Sequence, residues 1–197
     1  GHEPKAYHGQ TPWEDVLRDF PDLDVMAVST PDHLHTPVIL AALGNGTHVI
    51  TEKPMCLNMQ EADQIIEAAN AKDLVVGVDM HKRYDPDHLR VRDDISERIG
   101  DPVYGLAVLE EPLEVSTSTF KWVEDSDPFS YVGPHWTDLF WHYYHSKPVA
   151  LSAVGQKKRL IRDGIDAYDA VQVRVDYANG MSVHYHNNWI NPDDFEG

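Results

Sequence analysis

Lys53 is the residue whose position in the sequence most clearly suggests a chemical role. It belongs to Glu52-Lys53-Pro54, which directly follows residues 47–51, an apolar and β-branched run typical of a short buried strand. In an open α/β sheet, ligands bind beyond the carboxyl ends of the strands, so this lysine is a cation within reach of a ligand. Pro54 restricts the backbone of Lys53 and makes the Lys53–Pro54 bond a candidate for the cis form. The alternative is a surface lysine ahead of a helix.

A second candidate group lies on a later stretch that is dense in Trp, Phe and Tyr. His135, Asp138 and His142 recur there at the spacing of one helix face. Such a face could contribute to a metal site, but no further residues stand at ligand spacing. We therefore expect no metal.

The elements that must position Lys53 alternate along the first half of the chain. The pattern predicts helices over residues 12–20, 36–43 and 58–69, the last of them capped by Asn58, and strands over residues 25–29, 47–51 and 74–78. Residues 25–29 are apolar throughout, which predicts a strand covered on both faces. Gly44 and Gly46 precede a strand, so they indicate a helix end and not a dinucleotide fingerprint. The β-α-β-α-β order indicates a doubly wound parallel sheet.

The second half has a different pattern. It predicts a helix over residues 86–99, a strand over 103–115, a loop over 116–132 and an aromatic helix over 134–145. Strands are predicted over 150–157, 169–177 and 181–189, with Asn179-Gly180 as a hairpin turn between the last two. The expected fold class is α/β. A partial Rossmann-type sheet occupies residues 1–82, and an α+β domain with a mostly antiparallel sheet occupies residues 83–197.

Composition narrows the class of protein. The chain has 197 residues and a formal net charge of −17, from 33 acidic and 16 basic residues. Nucleic acids and anionic membranes select basic surfaces, so neither is an expected partner. Cys56 is the single cysteine, which excludes an internal disulfide, and no apolar run reaches the roughly 18 residues of a membrane span. We expect a cytoplasmic protein.

Three linked motifs carry a resemblance to a known family. Thr30-Pro31 is followed by His35, a helix, Gly46, His48-Val49 and then Glu52-Lys53-Pro54. This order and spacing resemble the glucose-fructose oxidoreductase / inositol dehydrogenase / MocA family of oxidoreductases, which use NAD or NADP. The family's first β-α-β unit carries Gly-x-Gly-x-x-Gly, which is not found after any strand here. We therefore expect an internal piece of a longer enzyme, lacking that unit and the C-terminal end, and inactive alone.

The resemblance implies roles for individual residues. Residues implied in cofactor binding are Thr30, Pro31, His35, Glu52, Lys53, Pro54, His81 and Arg83. Residues implied on the substrate side are Lys53, Trp122, Tyr131 and His135, of which Lys53, His135 and Tyr131 are candidate catalytic groups. A lysine beside the reacting hydroxyl can hydrogen-bond it and stabilise oxyanion character as hydride leaves carbon. For His81 and Arg83, an ion pair that joins the domains is an equal alternative.

Tyr131 marks a departure from the family pattern. The family has Asp at this position, followed by Gly, His and Asp at the spacing of Gly133, His135 and Asp138. In inositol-dehydrogenase-like members that first aspartate orients the histidine, which accepts the proton. Without it, His135 is expected to be a weaker base that shares its work with Lys53. Tyr131 either donates a proton or packs with Phe129 and Trp122.

Two functions remain open on the sequence. The first is hydride transfer between NAD or NADP and a secondary hydroxyl or ketone of a sugar, inositol or related polyol. The second is a non-catalytic family relative that acts as an oligomerisation or ligand-sensing domain. In either case we expect a homo-oligomer formed through the antiparallel sheet. The choice of NAD or NADP depends on a strand that precedes this sequence in the family.

Overall fold

The computed structural model describes residues 5–192 and divides the chain into two compact units, Gly1–Asp79 and Met80–Gly197. The first unit contains a parallel sheet in the order β1 (Val25–Val28), β2 (His48–Thr51), β3 (Val76–Val78). Its helices are α1 (Pro12–Asp19), α2 (His35–Asn45) and α3 (Met59–Ala71). Each strand alternates with a helix, as the sequence predicts.

Local signals fix the ends of these helices. The Asn58 side chain accepts a hydrogen bond of 2.9 Å from the Glu61 backbone N–H, which caps α3 as predicted. The Glu61 carboxylate in turn accepts hydrogen bonds from the Leu57 N–H and the Thr36 hydroxyl, which joins the start of α3 to α2. Gly46 ends α2 with φ of 88°, a left-handed conformation in which glycine is favoured.

The sheet of the first unit is covered on one face only within the described residues. Val28 and Val49 share a core with α2 and α3, whereas Val25 and Ile50 are half exposed on the opposite face. The expectation that β1 is covered on both faces is therefore wrong. The strand order β1-β2-β3 advances in one direction, and right-handed crossovers then place both connecting helices on the same side.

The second unit is a four-stranded mixed sheet backed by a long helix. Its strands are β4 (Tyr104–Pro112), β5 (Pro148–Gln156), β6 (Ala170–Tyr177) and β7 (Ser182–Asn191), arranged in the order β4-β7-β6-β5. The β5–β6 and β6–β7 pairs are antiparallel, and the β4–β7 pair is parallel. The hairpin predicted at Asn179-Gly180 joins β6 to β7. The helices are α4 (Pro86–Asp94), α5 (Pro128–Tyr144) and the short α6 (Arg159–Arg162).

The segment between β4 and α5 differs from its prediction. The strand ends at Pro112, and the chain then makes helical turns at Val115–Thr119 and Val123–Asp125. Helix α5 begins at Pro128 and not at residue 134, because the Asp127 side chain accepts hydrogen bonds from the backbone N–H groups of Phe129 and Ser130. Pro128 at the first helical position suits this start. Pro134 lies inside the helix.

One side of α5 packs on the sheet through aromatic side chains. Phe129 and Phe140 both contact Tyr185, which is completely buried on β7. Gly133 makes this packing feasible, since a Cβ atom at this position would lie 2.6 Å from the ring of Phe129. A second cluster, around Trp189 and Leu160, includes Tyr131 at the start of the same helix.

The expected fold class, a Rossmann-type parallel sheet followed by an α+β domain, is confirmed. The units divide after Asp79, three residues before the predicted boundary, because the turn His81–Tyr84 contacts α5 in the second unit. Within residues 5–192 there is no helix with the length and apolar character needed to cross a membrane.

Candidate active site

In the first unit, the candidate residues lie at the carboxyl ends of two neighbouring strands. Val28 of β1 pairs with Thr51 of β2, and the Glu52 N–H continues this pairing by donating to the Val28 carbonyl at 2.9 Å. Thr30-Pro31 therefore leaves the sheet beside Glu52-Lys53-Pro54. This is the position at which open parallel sheets bind ligands.

His35 connects the two strand-end segments. Its Nε2 lies 2.8 Å from the Thr30 carbonyl oxygen, and its Nδ1 lies 2.6 Å from the Pro54 carbonyl oxygen. The side chain is buried at the start of α2. His35 thus has a backbone partner in each segment, and these contacts fix the distance between the two segments. Contact of His35 with a cofactor stays a prediction.

Lys53 is only 8% exposed, so it is not the surface lysine of the alternative interpretation. The Lys53–Pro54 bond is cis, as the sequence suggested. A buried ammonium group must be stabilised by polar partners or by a ligand, since its desolvation is costly. Burial at a strand end is therefore consistent with a lysine that faces bound ligands.

Thr30 supplies an independent indication of a ligand. Its hydroxyl oxygen is buried and has no hydrogen-bond partner among the described residues. Buried polar groups are nearly always hydrogen-bonded, so an orphaned hydroxyl at this strand end fits a partner from outside the chain. The ribose and amide groups of a nicotinamide dinucleotide offer such partners, and these residues fit that cofactor.

In the second unit, an ion pair joins the turn His81–Tyr84 to α5. Arg83 Nε donates to Asp138 Oδ2 at 2.7 Å, and Arg83 Nη2 donates to Asp138 Oδ1. These hydrogen bonds raise the pKa of the Arg83 guanidinium above its ordinary value. Arg83 thus forms an ion pair, but the pair joins two elements of one unit and not the two domains. Contact of Arg83 with the cofactor stays a prediction.

His135 is buried one helical turn before Asp138, and its ring contacts that of His81. The two ring centroids lie 5.0 Å apart at an interplanar angle of 69°. No local pattern indicates this contact, because 53 intervening residues separate the two histidines. On the same helix, the His142 Nε2 atom is buried without a partner among the described residues, and burial lowers the pKa of His142.

Tyr131 lies in an aromatic cluster, as its packing interpretation expects. Its ring centroid is 4.7 Å from that of Phe120, 6.2 Å from that of Trp122 and 6.5 Å from that of Trp189. Phe129, which the same interpretation included, packs elsewhere, against Tyr185. Trp122 and Tyr131 are thus brought together, while their contact with a substrate stays a prediction.

Comparisons with known proteins find similarity in both sequence and fold. Residues 4–80 match the family model described as "Oxidoreductase family, NAD-binding Rossmann fold". The 1,5-anhydro-D-fructose reductase of Ensifer adhaerens is 38% identical over 91 residues, which are 46% of this chain and 27% of that protein. The scyllo-inositol 2-dehydrogenase (NADP(+)) of Bacillus subtilis strain 168 is 33% identical over 99 residues, which are 43% of this chain and 28% of that protein.

A solved structure extends the likeness in fold to the second unit. An inositol dehydrogenase homolog from Azotobacter vinelandii, complexed with NADH and myo-inositol, matches with a TM-score of 0.81 and 22% identity. The match covers 95% of this chain and 50% of that one, so the chain spans about half the length of that relative. The parallel sheet and the helices between its strands define a Rossmann-type fold. Over residues 4–80, the chain is similar to the glucose-fructose oxidoreductase / inositol dehydrogenase / MocA family.

Proposed function

We propose that this chain forms part of an oxidoreductase that transfers a hydride between NAD or NADP and a secondary hydroxyl or ketone of a sugar, inositol or related polyol. The observation that carries the proposal is the buried Lys53 at the end of β2, beside a buried Thr30 hydroxyl that has no partner in the described part of the chain. The names of the relatives support the substrate class, since they include an anhydrofructose reductase and an inositol dehydrogenase.

The residues of the first unit hold the cofactor and polarise the substrate. The dinucleotide is contacted by residues at and next to the ends of β1 and β2. These residues are Thr30, Pro31, His35, Glu52 and Pro54. Hydride transfer itself belongs to the chemistry of the nicotinamide. Lys53 hydrogen-bonds the reacting oxygen and stabilises its negative character in the transition state.

In the second unit, His135 is the proton-transfer residue. Its burial removes it from bulk water, and an imidazole gains or loses a proton readily near neutral pH. Tyr131 has a packing role in the aromatic cluster and, with Trp122, borders the substrate. The function therefore does not require Tyr131 to transfer a proton.

Replacing Lys53 tests the proposal directly. In the intact enzyme, Lys53→Met should lower turnover by about 100-fold or more, the range of positioned polarising and acid–base groups. Cofactor affinity should change much less. Lys72→Met, at an exposed position in the same unit, serves as the matched control. Turnover within a fewfold of wild type in Lys53→Met would leave Lys53 with a structural role only.

A second experiment separates His135 from Tyr131. His135→Asn should remove most activity and alter the pH–rate profile, whereas Tyr131→Phe should retain both because the phenyl ring preserves the packing. Loss of activity in Tyr131→Phe alone would instead make the tyrosine the acid–base group. Near-full activity in His135→Asn would contradict the assignment.

The outer face of the second sheet supports the proposal of a homo-oligomer. Leu106 and Val108 of β4 are exposed there, next to His184 and His186 of β7. Contiguous apolar surface on a sheet is a frequent protein contact. Light scattering should show a smaller assembly for Leu106→Glu than for wild type, and no change for Met59→Glu, an exposed position on α3. An unchanged mass for Leu106→Glu would argue against this face.

A further inference from the structure

We infer that His81 is a further residue of the proton-transfer site, and that it carries protons between the buried His135 and solvent. This inference rests on the proposed function, in which His135 exchanges a proton with the substrate. It starts from the position of Tyr131. The aspartate expected there from the family pattern is absent, and the Tyr131 ring is packed among Phe120, Trp122 and Trp189. Tyr131 therefore supplies no carboxylate to His135.

His81 provides an ionisable group next to His135 in place of that aspartate. The His81 ring makes an edge contact with the His135 ring, with 5.0 Å between their centroids. At this separation, ring nitrogens are within reach of a direct hydrogen bond or of one bridging water. His135 is 9% exposed, whereas His81 is exposed, so the pair connects a buried imidazole to the surface.

The Arg83–Asp138 ion pair holds the two rings in this arrangement. Arg83 lies two residues after His81, and Asp138 lies three residues after His135 on α5. The two hydrogen bonds between guanidinium and carboxylate fix both position and orientation, because a bidentate pair has a planar geometry. Asp138 is mostly buried, so water competes little with this contact. Arg83 and Asp138 are therefore positioning residues.

The proton balance of the step is complete. In alcohol oxidation, the C–H bond breaks and its electron pair leaves with the hydride to the nicotinamide. The O–H bond breaks and its proton forms a new N–H bond on His135. His135 then loses a proton to His81, and the exposed imidazole releases a proton to water. Ketone reduction uses the same path in reverse.

The first test measures proton exchange and needs no cofactor. In the protein labelled with ¹⁵N-histidine, the exchange of the His135 ring N–H with water is followed by NMR saturation transfer. We expect at least tenfold slower exchange in His81→Gln than in wild type, and an unchanged rate in Lys82→Gln, from the same turn. His81→Asn serves as the second variant should the first perturb folding. An unchanged exchange rate in both histidine variants overturns the inference, whatever the enzyme's activity.

The second test uses turnover of the intact enzyme. His81→Ala should lower kcat by between about 10- and 100-fold, less than the ~10²–10⁴-fold typical of a direct proton-transfer group. Added imidazole should restore kcat severalfold, a result that a purely structural role of His81 does not produce. Wild-type turnover in His81→Ala, combined with slowed exchange, overturns the catalytic role of the relay. Turnover of the wild-type enzyme with a polyol and NAD or NADP shows separately whether the proposed function itself holds.

Discussion

Asp169 is expected to contribute strongly to the stability of the second unit. Its buried carboxylate accepts hydrogen bonds from three consecutive backbone N–H groups at the start of α6: Lys158, Arg159 at 2.7 Å and Leu160 at 2.8 Å. Burial alone would raise the pKa of Asp169, but these three donors hold it below the ordinary value of 3.8. The contact anchors Leu160 in the cluster that contains Trp189 and Tyr131.

The perturbation is Asp169→Asn, which keeps the shape and removes one acceptor. Oδ2 accepts from Lys158 and Arg159 and Oδ1 from Leu160, so the best amide orientation retains two hydrogen bonds and leaves the Leu160 N–H facing an NH₂ group. An unsatisfied buried donor costs about 1–3 kcal/mol, and the two retained hydrogen bonds lose the strength that the charge gives them. We expect the free energy of unfolding to fall by about 3 kcal/mol.

Urea unfolding followed by tryptophan fluorescence is a suitable assay, because Trp189 lies in the affected cluster. Asp166→Asn, at a mostly exposed position, is the control and should leave the transition unchanged. Since the folded-state pKa of Asp169 is lowered, its stabilisation is fully present above the unfolded-state value and is lost as pH falls through the folded value. The difference between wild type and Asp169→Asn should shrink over that range. A difference below about 1 kcal/mol at neutral pH, the scale of a single ordinary hydrogen bond, would refute this reasoning.

Two further substitutions test the local structure. Gly133→Ala should destabilise the second unit by about 1–3 kcal/mol, because its methyl group must displace the Phe129 ring, whereas Gly44→Ala on α2 meets nothing within 4 Å and should be neutral or stabilising in thermal unfolding. Asn58→Ala should cost about 1 kcal/mol of stability through loss of the α3 cap, and an unchanged denaturation midpoint would show that the Glu61 N–H finds another acceptor.

The features of the fold that can be predicted from the sequence are those that local interactions determine. Asn58 and Gly46 act within a few residues, and both ends that they predict are present. The alternation of apolar strands and helices specified the parallel sheet of the first unit for the same reason. The burial of β1 was overestimated because an apolar run does not reveal which faces its neighbours cover.

In the second unit, the predicted start of α5 is wrong, although the sequence contains a signal for the correct start. Asp127-Pro128 is a helix-start pattern, but Gly133-Pro134 inside the segment interrupts the expected periodicity and suggested a later start. The Gly133 position has a packing reason, the Phe129 ring, that no local rule describes. A steric fit between side chains becomes visible only with coordinates.

Contacts between distant parts of the chain cannot be predicted from a single sequence. The candidate residues His81, Arg83, His135 and Asp138 were all identified, but a single sequence does not tell which of them meet. The structure pairs Arg83 with Asp138 and His81 with His135. These pairings depend on how the turn His81–Tyr84 lies on α5, and no residue type encodes that placement by itself.

The parallel pairing of β4 with β7 has a consequence for synthesis of the chain on the ribosome. Tyr104 of β4 has its partner at Ser182, so the sheet of the second unit stays incomplete until translation has passed β7. The strands of the first unit pair in the order of their synthesis and can assemble while translation continues. Pairing between strands that lie far apart in the sequence is slow, and it leaves apolar strand edges exposed until the partner strand arrives. The nascent second unit therefore carries unpaired strands for longer than the first unit does.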